Sequence, residues 1–246
     1  MTKPSNAYYR RDLSLVHHRG FAFHAEACAP GILDLLEPVR QRNGLVVEIG
    51  CGSGLLTRKL IEAGHRVVAT DASSAMLDLA RQTVPGADLR LLTLPDDPLP
   101  QADAVVGVGH ALNYLSDVDA IDRALRSIAR SLRPGGILAI DICDLEWGRA
   151  RRDEENQGRV GEDWAIITRF STPTPDKFIR DMTTFLRNED GSWRRDDERH
   201  DNVLIDTARC HSLLASEQVE IEVGRSFGAE DLPVGLRTLV GHRSWE

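Results

Sequence analysis

The sequence predicts an α/β fold with a doubly wound, mostly parallel seven-stranded sheet, and three observations carry that prediction. Between residues 45 and 142, short apolar runs alternate with stretches whose apolar residues recur at helical spacing, the pattern of βα units in a parallel sheet. A glycine-rich turn, Gly50-Cys51-Gly52-Ser53-Gly54, joins the first run to the first helical stretch. After residue 205, a helical stretch and two further runs, 218–224 and 236–243, complete the strand set.

Taken in order, residues 45–49 form the short, mostly apolar run that a strand buried on both faces requires. A helix follows, with Leu56, Leu60 and Ala63 at i, i+4 and i+7. Residues 66–70 form the second strand and end on Asp71. Ser73 caps a helix carrying Met76, Leu79, Ala80 and Val84 on one face. Residues 89–92 are the third strand, with Thr93 and Leu94 at its carboxyl end. Asp96 and Asp97 beyond them read as a solvated, Pro-punctuated turn. Residues 104–108 make the fourth strand, which runs into Gly109-His110-Ala111-Leu112-Asn113-Tyr114. Ser116 or Asp117 caps a helix striped by Val118, Ile121, Leu125, Ile128 and Leu132. Arg133-Pro134-Gly135-Gly136 ends that helix, and residues 137–142 form the fifth strand. Asp141 stands without an assigned role at its end, and Asp144 reads as structural.

Two regions break the alternation and define the expected domains. Residues 1–43 read as an N-terminal helical lid, with short helices broken near Gly20 and a helix over 31–40. This stretch is dense in chemistry, with Tyr8, Tyr9, Arg10, Arg11, His17, His18, Arg19, Phe21, Phe23 and His24. Residues 149–204 read as an antiparallel β flap inserted after strand five. A polar, mobile segment over 149–161 precedes β segments at 164–170, 177–187 and 192–202. Asn188-Glu189-Asp190-Gly191 is the hairpin signal between the last two. Trp164, Arg180, Trp193 and His200 are its candidate pocket residues, with packing as the plainer role for each. Residues 44–148 and 205–246 then make the core.

Composition narrows the function classes. The chain of 246 residues has 41% hydrophobic residues, enough for a sizeable core. Its charge of −8 argues against a nucleic-acid partner, which calls for a basic footprint. Cys28, Cys51, Cys143 and Cys210 are dispersed, which suits reduced thiols in a cytoplasm better than disulfides or a zinc site. Met1 to Asn6 leads into Tyr, Arg and Asp rather than a signal core, and no run approaches the roughly 18 apolar residues of a membrane span. The expectation is a cytoplasmic protein, monomer or homodimer, with no metal and no membrane or nucleic-acid partner.

The glycine turn carries the functional signal. Its backbone amides can receive a carboxylate or phosphate, and the absence of side chains lets a ligand approach closely. A dinucleotide fingerprint would place its third glycine at position 55, which is Leu. Asp71 at the end of strand two can accept hydrogen bonds from both ribose hydroxyls of an adenosine. The expected ligand is an adenosine with an amino-acid-like tail and no pyrophosphate.

Residues 46–56, 67–71 and Leu132-Arg133-Pro134-Gly135-Gly136-Ile137-Leu138 together resemble the motifs of class I S-adenosylmethionine-dependent methyltransferases. Tyr8-Tyr9-Arg10-Arg11-Asp12 with His18-Arg19-Gly20-Phe21 is similar to the opening of a bacterial small-molecule subgroup. The resemblance implies a Rossmann-like methyltransferase fold whose sheet closes with an antiparallel strand pair. It places Glu48, Gly50, Cys51, Gly52 and Gly54 around the methionine end of S-adenosylmethionine. Asp71 with Ala72 would lie at the ribose, and Thr93 with Leu94 at the adenine. Gly109 and His110 would also border the cofactor. His110 is the candidate catalytic residue, and Tyr8, Tyr9, His18, Asn113 and Tyr114 are the candidate substrate contacts. The implied activity is methyl transfer to N or O of a small-molecule acceptor, leaving S-adenosylhomocysteine. Two alternatives stand beside it: a cofactor-binding regulatory or scaffold protein without transfer activity, and a nicotinamide dehydrogenase, which Leu55 disfavours.

Overall fold

A computed structural model of the chain describes residues 8–154 and 156–245. The first seven residues of the expected lid lie outside the described residues, as do Glu155 and Glu246. The N-terminal elements are α1 (Arg11–Gly20) and α2 (Phe23–Gln41). Then follow β1 (Leu45–Ile49), α3 (Leu55–Glu62), β2 (Arg66–Asp71), α4 (Ser74–Thr83), β3 (Asp88–Leu91) and β4 (Ala102–Gly107). A 3-10 turn (Ala111–Tyr114) leads to α5 (Val118–Ser131), β5 (Leu132–Cys143) and α6 (Leu145–Ala150). The inserted strands are β6 (Gln157–Val160), β7 (Trp164–Thr174), β8 (Lys177–Arg187) and β9 (Trp193–Val203). The chain closes with α7 (Arg209–Ala215), β10 (Val219–Gly224) and β11 (Leu236–Arg243).

The main sheet has the order β10-β11-β5-β4-β1-β2-β3. The β3, β2, β1, β4 and β5 neighbours pair in parallel, whereas β11 runs antiparallel to both β5 and β10. This is the predicted seven-stranded, mostly parallel sheet. β1 lies at its centre, and its alternation feeds two cores. Val47 and Ile49 join Ile121, Leu125 and Ile128 of α5 on one face, and Val46 joins Ile32 and Leu36 of α2 on the other. Asp117 caps α5 as expected, accepting from the Ala120 amide at 2.7 Å. β6–β9 form a separate antiparallel sheet. Trp164, Ile166, Met182 and Leu186 of that sheet pack on Leu13 and Val16 of α1.

Four expectations need correction. The helix placed at 31–40 begins at Phe23 and runs through Pro30. Pro30 and Glu26, whose carbonyl loses its intrahelical donor to the proline, lie on the exposed side of the helix, while Cys28, Ile32, Leu36 and Val39 bury the opposite face. The segment read as polar and mobile contains β6, an edge strand exposed at every residue, which carries no apolar alternation to detect. Residues 171–174, expected to lie between the β segments at 164–170 and 177–187, belong to β7, where an irregular register between Ser171 and Thr174 accommodates Pro173. In α4, Leu77 rather than Leu79 takes the buried position.

Candidate functional site

A cavity of about 360 Å3 opens beyond the carboxyl ends of β1, β2 and β4. Gly50 and Gly52 form one wall, and Asp71, Ala72 and Ser73 form the next. Thr93 and Leu94 face Gly109, Ala111 and Tyr114 across it, and Tyr8, Tyr9 and His17 come from the N-terminal segment. Strand order changes direction at β1, and ligands of open α/β sheets settle in that crevice.

The loop after β1 is shaped by backbone conformation. Gly50 and Gly52 have φ of 63° and 54°, and a Cβ at Gly50 would lie 2.6 Å from the Ala111 Cβ. Only glycine fits there. Asp71 then fixes the loop: its Oδ2 accepts from the Gly52 amide and its Oδ1 from the Ser73 amide, both at 2.8 Å. Burial raises the Asp71 pKa, and the amides oppose that rise. Each carboxylate oxygen has a second lone pair available to a ligand in the cavity.

Three residues expected at the ligand lie behind the wall. Glu48 is buried and accepts from the Thr57 hydroxyl at 2.6 Å, tying β1 to α3. Burial pushes its carboxyl up to about 7. Cys51 turns its side chain into a small cluster with Ala69 and Leu77. Gly54, at φ 82°, is the left-handed residue from which α3 starts, and its amide bonds the Cys51 carbonyl.

The loop after β4 is anchored by Asp141. Its carboxylate accepts from the amides of Gly109 and His110 at 2.9 and 2.6 Å, and from His24 Nε2 at 2.7 Å. Burial works against an imidazolium at His24, but the bond and charge of Asp141 overcome it and hold His24 at about 10. His24 is therefore a partly buried cation serving the loop. His110 itself adopts a left-handed conformation (φ 50°) and stacks its ring on the cavity-lining Tyr114 with centroids 5.4 Å apart, without lining the cavity itself. Burial, with the charge of Arg180, pushes its pKa down to about 3. Such a ring is a weak proton acceptor, which speaks against the expected proton chemistry, and His110 does not line the cavity it was expected to border. Asn113 is corrected more firmly. It is fully buried, and its amide bonds the Cys143 carbonyl and amide and the Val203 carbonyl at 3.1, 2.8 and 2.6 Å. That spends its polar atoms on joining the 3-10 turn to β5 and β9.

The N-terminal segment is tied over the cavity. Glu198 of β9 receives the amides of Tyr9 and Arg10 at 2.9 and 2.7 Å, together with His200 at 3.0 Å. The Tyr9 carbonyl accepts from Ser73 at 2.8 Å, and the Tyr9 hydroxyl pairs with the Tyr114 hydroxyl at 2.8 Å. Arg180 donates to Tyr114 from the far side. Tyr8 packs against Tyr114 and His200. His18, expected at a substrate, instead bonds Ser53 of the glycine loop at 2.8 Å and fastens α1 to it.

Of the predicted residues, Gly50, Gly52, Asp71, Ala72, Thr93, Leu94, Gly109, Tyr8, Tyr9 and Tyr114 meet at one cavity. Of the flap candidates, Arg180 and His200 join this cluster. Trp164 packs on Gly20 of α1, and Trp193 is half exposed. Sequence reasoning gave no role to Asp141 or Glu198, and placed His17 and His24 only collectively, in the N-terminal lid. Among them only Asp141, an acid at a strand's carboxyl end, announced itself. Among the described residues no group of His, Cys, Asp and Glu is arranged to hold a metal, and all four cysteines are free and buried. No helix among the described residues is long and apolar enough to cross a membrane.

Comparison with known proteins agrees with this geometry. The family described as a methyltransferase domain matches residues 47–140. An uncharacterised methyltransferase of Mycobacterium tuberculosis is 34% identical over 173 residues, covering 68% of each chain. N-demethylindolmycin N-methyltransferase of Streptomyces griseus is 30% identical over 178 residues, covering 68% of this chain and 70% of its own. In fold, the chain is similar to an amino pentose methyltransferase of Micromonospora echinaspora solved with S-adenosylmethionine bound. The TM-score is 0.72 at 19% identity, over 98% of this chain and 100% of the other.

Proposed function

The chain belongs to the class I S-adenosylmethionine-dependent methyltransferases, and on that premise we propose that it methylates a nitrogen or oxygen of a small-molecule acceptor. The observation that carries this reading is the cavity at the strand tips, bordered by Tyr8, Tyr9 and Tyr114. The fit to the cofactor rests on two features of the wall. A Cβ on Gly52 would meet only Met76 Sδ, at 3.9 Å, so the backbone there faces open space. Asp71 keeps lone pairs beyond those given to Gly52 and Ser73. In this reading Gly50 and Gly52 hold the methionine end, Asp71 both ribose hydroxyls, and Thr93 and Leu94 the adenine. Gly109 completes the wall on a loop that Asp141 and His24 keep rigid.

When bound, S-adenosylmethionine supplies an electrophilic methyl group on a sulfonium. What the chain contributes is alignment and exclusion of water. Tyr9, Tyr114 and Arg180 form a hydrogen-bonded wall that fixes the acceptor's approach, and the N-terminal segment with the β6–β9 sheet covers it. His17 and His110 stay neutral, both pushed down to about 3 by burial first, so neither is a strong base. An amine acceptor that arrives uncharged needs no such base, which favours nitrogen. The Streptomyces griseus relative, an N-methyltransferase, points the same way.

A small acceptor suits the acidic surface and the covered site. Incubation with methyl-labelled S-adenosylmethionine and a metabolite extract, followed by mass spectrometry, tests the proposal. Labelled small molecules are expected. Label confined to protein or nucleic acid, or no transfer at all, would defeat it.

A further inference from the structure

Arg180 is a partly buried cation that methyl transfer alone leaves unexplained. It sits in β8, with its guanidinium against Tyr114, and no carboxylate among the described residues pairs with it. One of its nitrogens donates to the Tyr114 hydroxyl, whereas its Nε is buried with no partner among the described residues. His17, His110 and His200 around it are all held below their ordinary pKa, by burial first and by this same charge. Glu198, on the neighbouring strand, is already engaged by the amides of Tyr9 and Arg10 and by His200. Three other arginines do find carboxylates: Arg194 forks onto Asp12, and Arg126 and Arg130 share Glu217.

A second cavity, of about 120 Å3, lies between α1 and the β6–β9 sheet, with Arg180 in its wall. Arg159 is a second guanidinium in its lining, and among the described residues no carboxylate lines it. Phe21, Phe170 and Met182 make much of the remaining surface apolar. Tyr9 and His17 line both cavities, so a molecule in the second touches the wall of the first. An enclosed guanidinium without a counter-charge is unfavourable unless a ligand brings the charge, and its planar fork matches an oxyacid.

We propose that the second cavity receives the methyl acceptor and that Arg180 binds an anionic oxyacid group on it, carboxylate or phosphate, close to the atom that is methylated. This rests on the methyl-transfer reading. It adds a substrate class: small anionic acceptors with an apolar or aromatic body.

The test is calorimetry on the protein loaded with S-adenosylhomocysteine, titrated with benzoate, phenyl phosphate and the neutral benzamide. At least one anion is expected to bind tenfold or more tightly than benzamide, and which one does so separates carboxylate from phosphate. In Arg180→Gln the preference should shrink to within twofold. In Arg180→Lys, which keeps the charge and loses the fork, a reduced preference of a fewfold should remain. Circular dichroism checks that each variant is folded, and Arg180→Lys serves if Arg180→Gln is not. Equal binding of anion and amide, no binding of either anion, or a preference undiminished in the folded variants would overturn the proposal. Binding of S-adenosylhomocysteine by the unaltered protein reports separately on the methyl-transfer reading. If it fails, the same titrations run on the unloaded protein still judge the anion site.

Discussion

Replacing Asp71 by Ala removes the carboxylate assigned to the ribose. Each oxygen already accepts one backbone amide at 2.8 Å, from Gly52 or Ser73, leaving one lone pair apiece for the two ribose hydroxyls. Hydrogen bonds to a charged group contribute about 1.5–3 kcal/mol each. Two lost bonds, at the low end of that range, weaken binding by about 3 kcal/mol, roughly two orders of magnitude in Kd. The Gly52 amide also loses its anchor, so the measured loss mixes direct contact with a loosened loop. A 2′-deoxy analogue of S-adenosylhomocysteine separates them. The unaltered protein should bind it about tenfold more weakly than the parent by the loss of one such bond. Asp71→Ala should bind parent and analogue alike. Calorimetry with both ligands reads the cycle. If the variant still discriminates tenfold, or binds the parent within threefold of the unaltered protein, the ribose is held elsewhere.

Gly50→Ala should lower affinity for S-adenosylhomocysteine at least tenfold and reduce Tm. A left-handed alanine costs roughly 1–2 kcal/mol, and its Cβ would press on Ala111 at 2.6 Å. Asn113→Leu should lower stability by at least about 3 kcal/mol, because it strands buried backbone groups of Cys143 and Val203. Urea denaturation measures this, and a stable variant that has lost only activity would return Asn113 to the substrate. The His24–Asp141 pair predicts a pH dependence. His24 rises from 6.5 to about 10 on folding, so its contribution is complete below pH 6.5 and is lost as pH climbs through about 10. The gap in Tm between the unaltered protein and His24→Leu should therefore narrow from pH 7 to pH 10, and a constant gap would contradict the assignment.

The sheet and its switch point were legible because buried parallel strands and a glycine turn leave periodic, local signals. Cavity-lining positions such as Gly50, Asp71 and Thr93 followed, since a strand's carboxyl end is a place that sequence order fixes. Orientation was not legible. Asn113 and His110 sit on the expected loop, but whether each side chain turns inward depends on Cys143, Val203 and Tyr114, which arrive from distant segments. Cys51 faces Leu77 for the same reason. β6 escaped because an exposed edge strand has no buried face to pattern it. Arg180 was named from the sequence only as a flap candidate with packing as its plainer role, because its lack of a carboxylate partner among the described residues shows only where β8 and α1 meet around it.

The most direct test of the account is a crystal structure with S-adenosylhomocysteine. It should show the ribose on Asp71, the adenine beside Thr93 and Leu94, and the homocysteine end along Gly50 and Gly52, with its sulfur facing Tyr9 and Tyr114. A ligand bound elsewhere, or an empty crevice at saturating concentration, would contradict it.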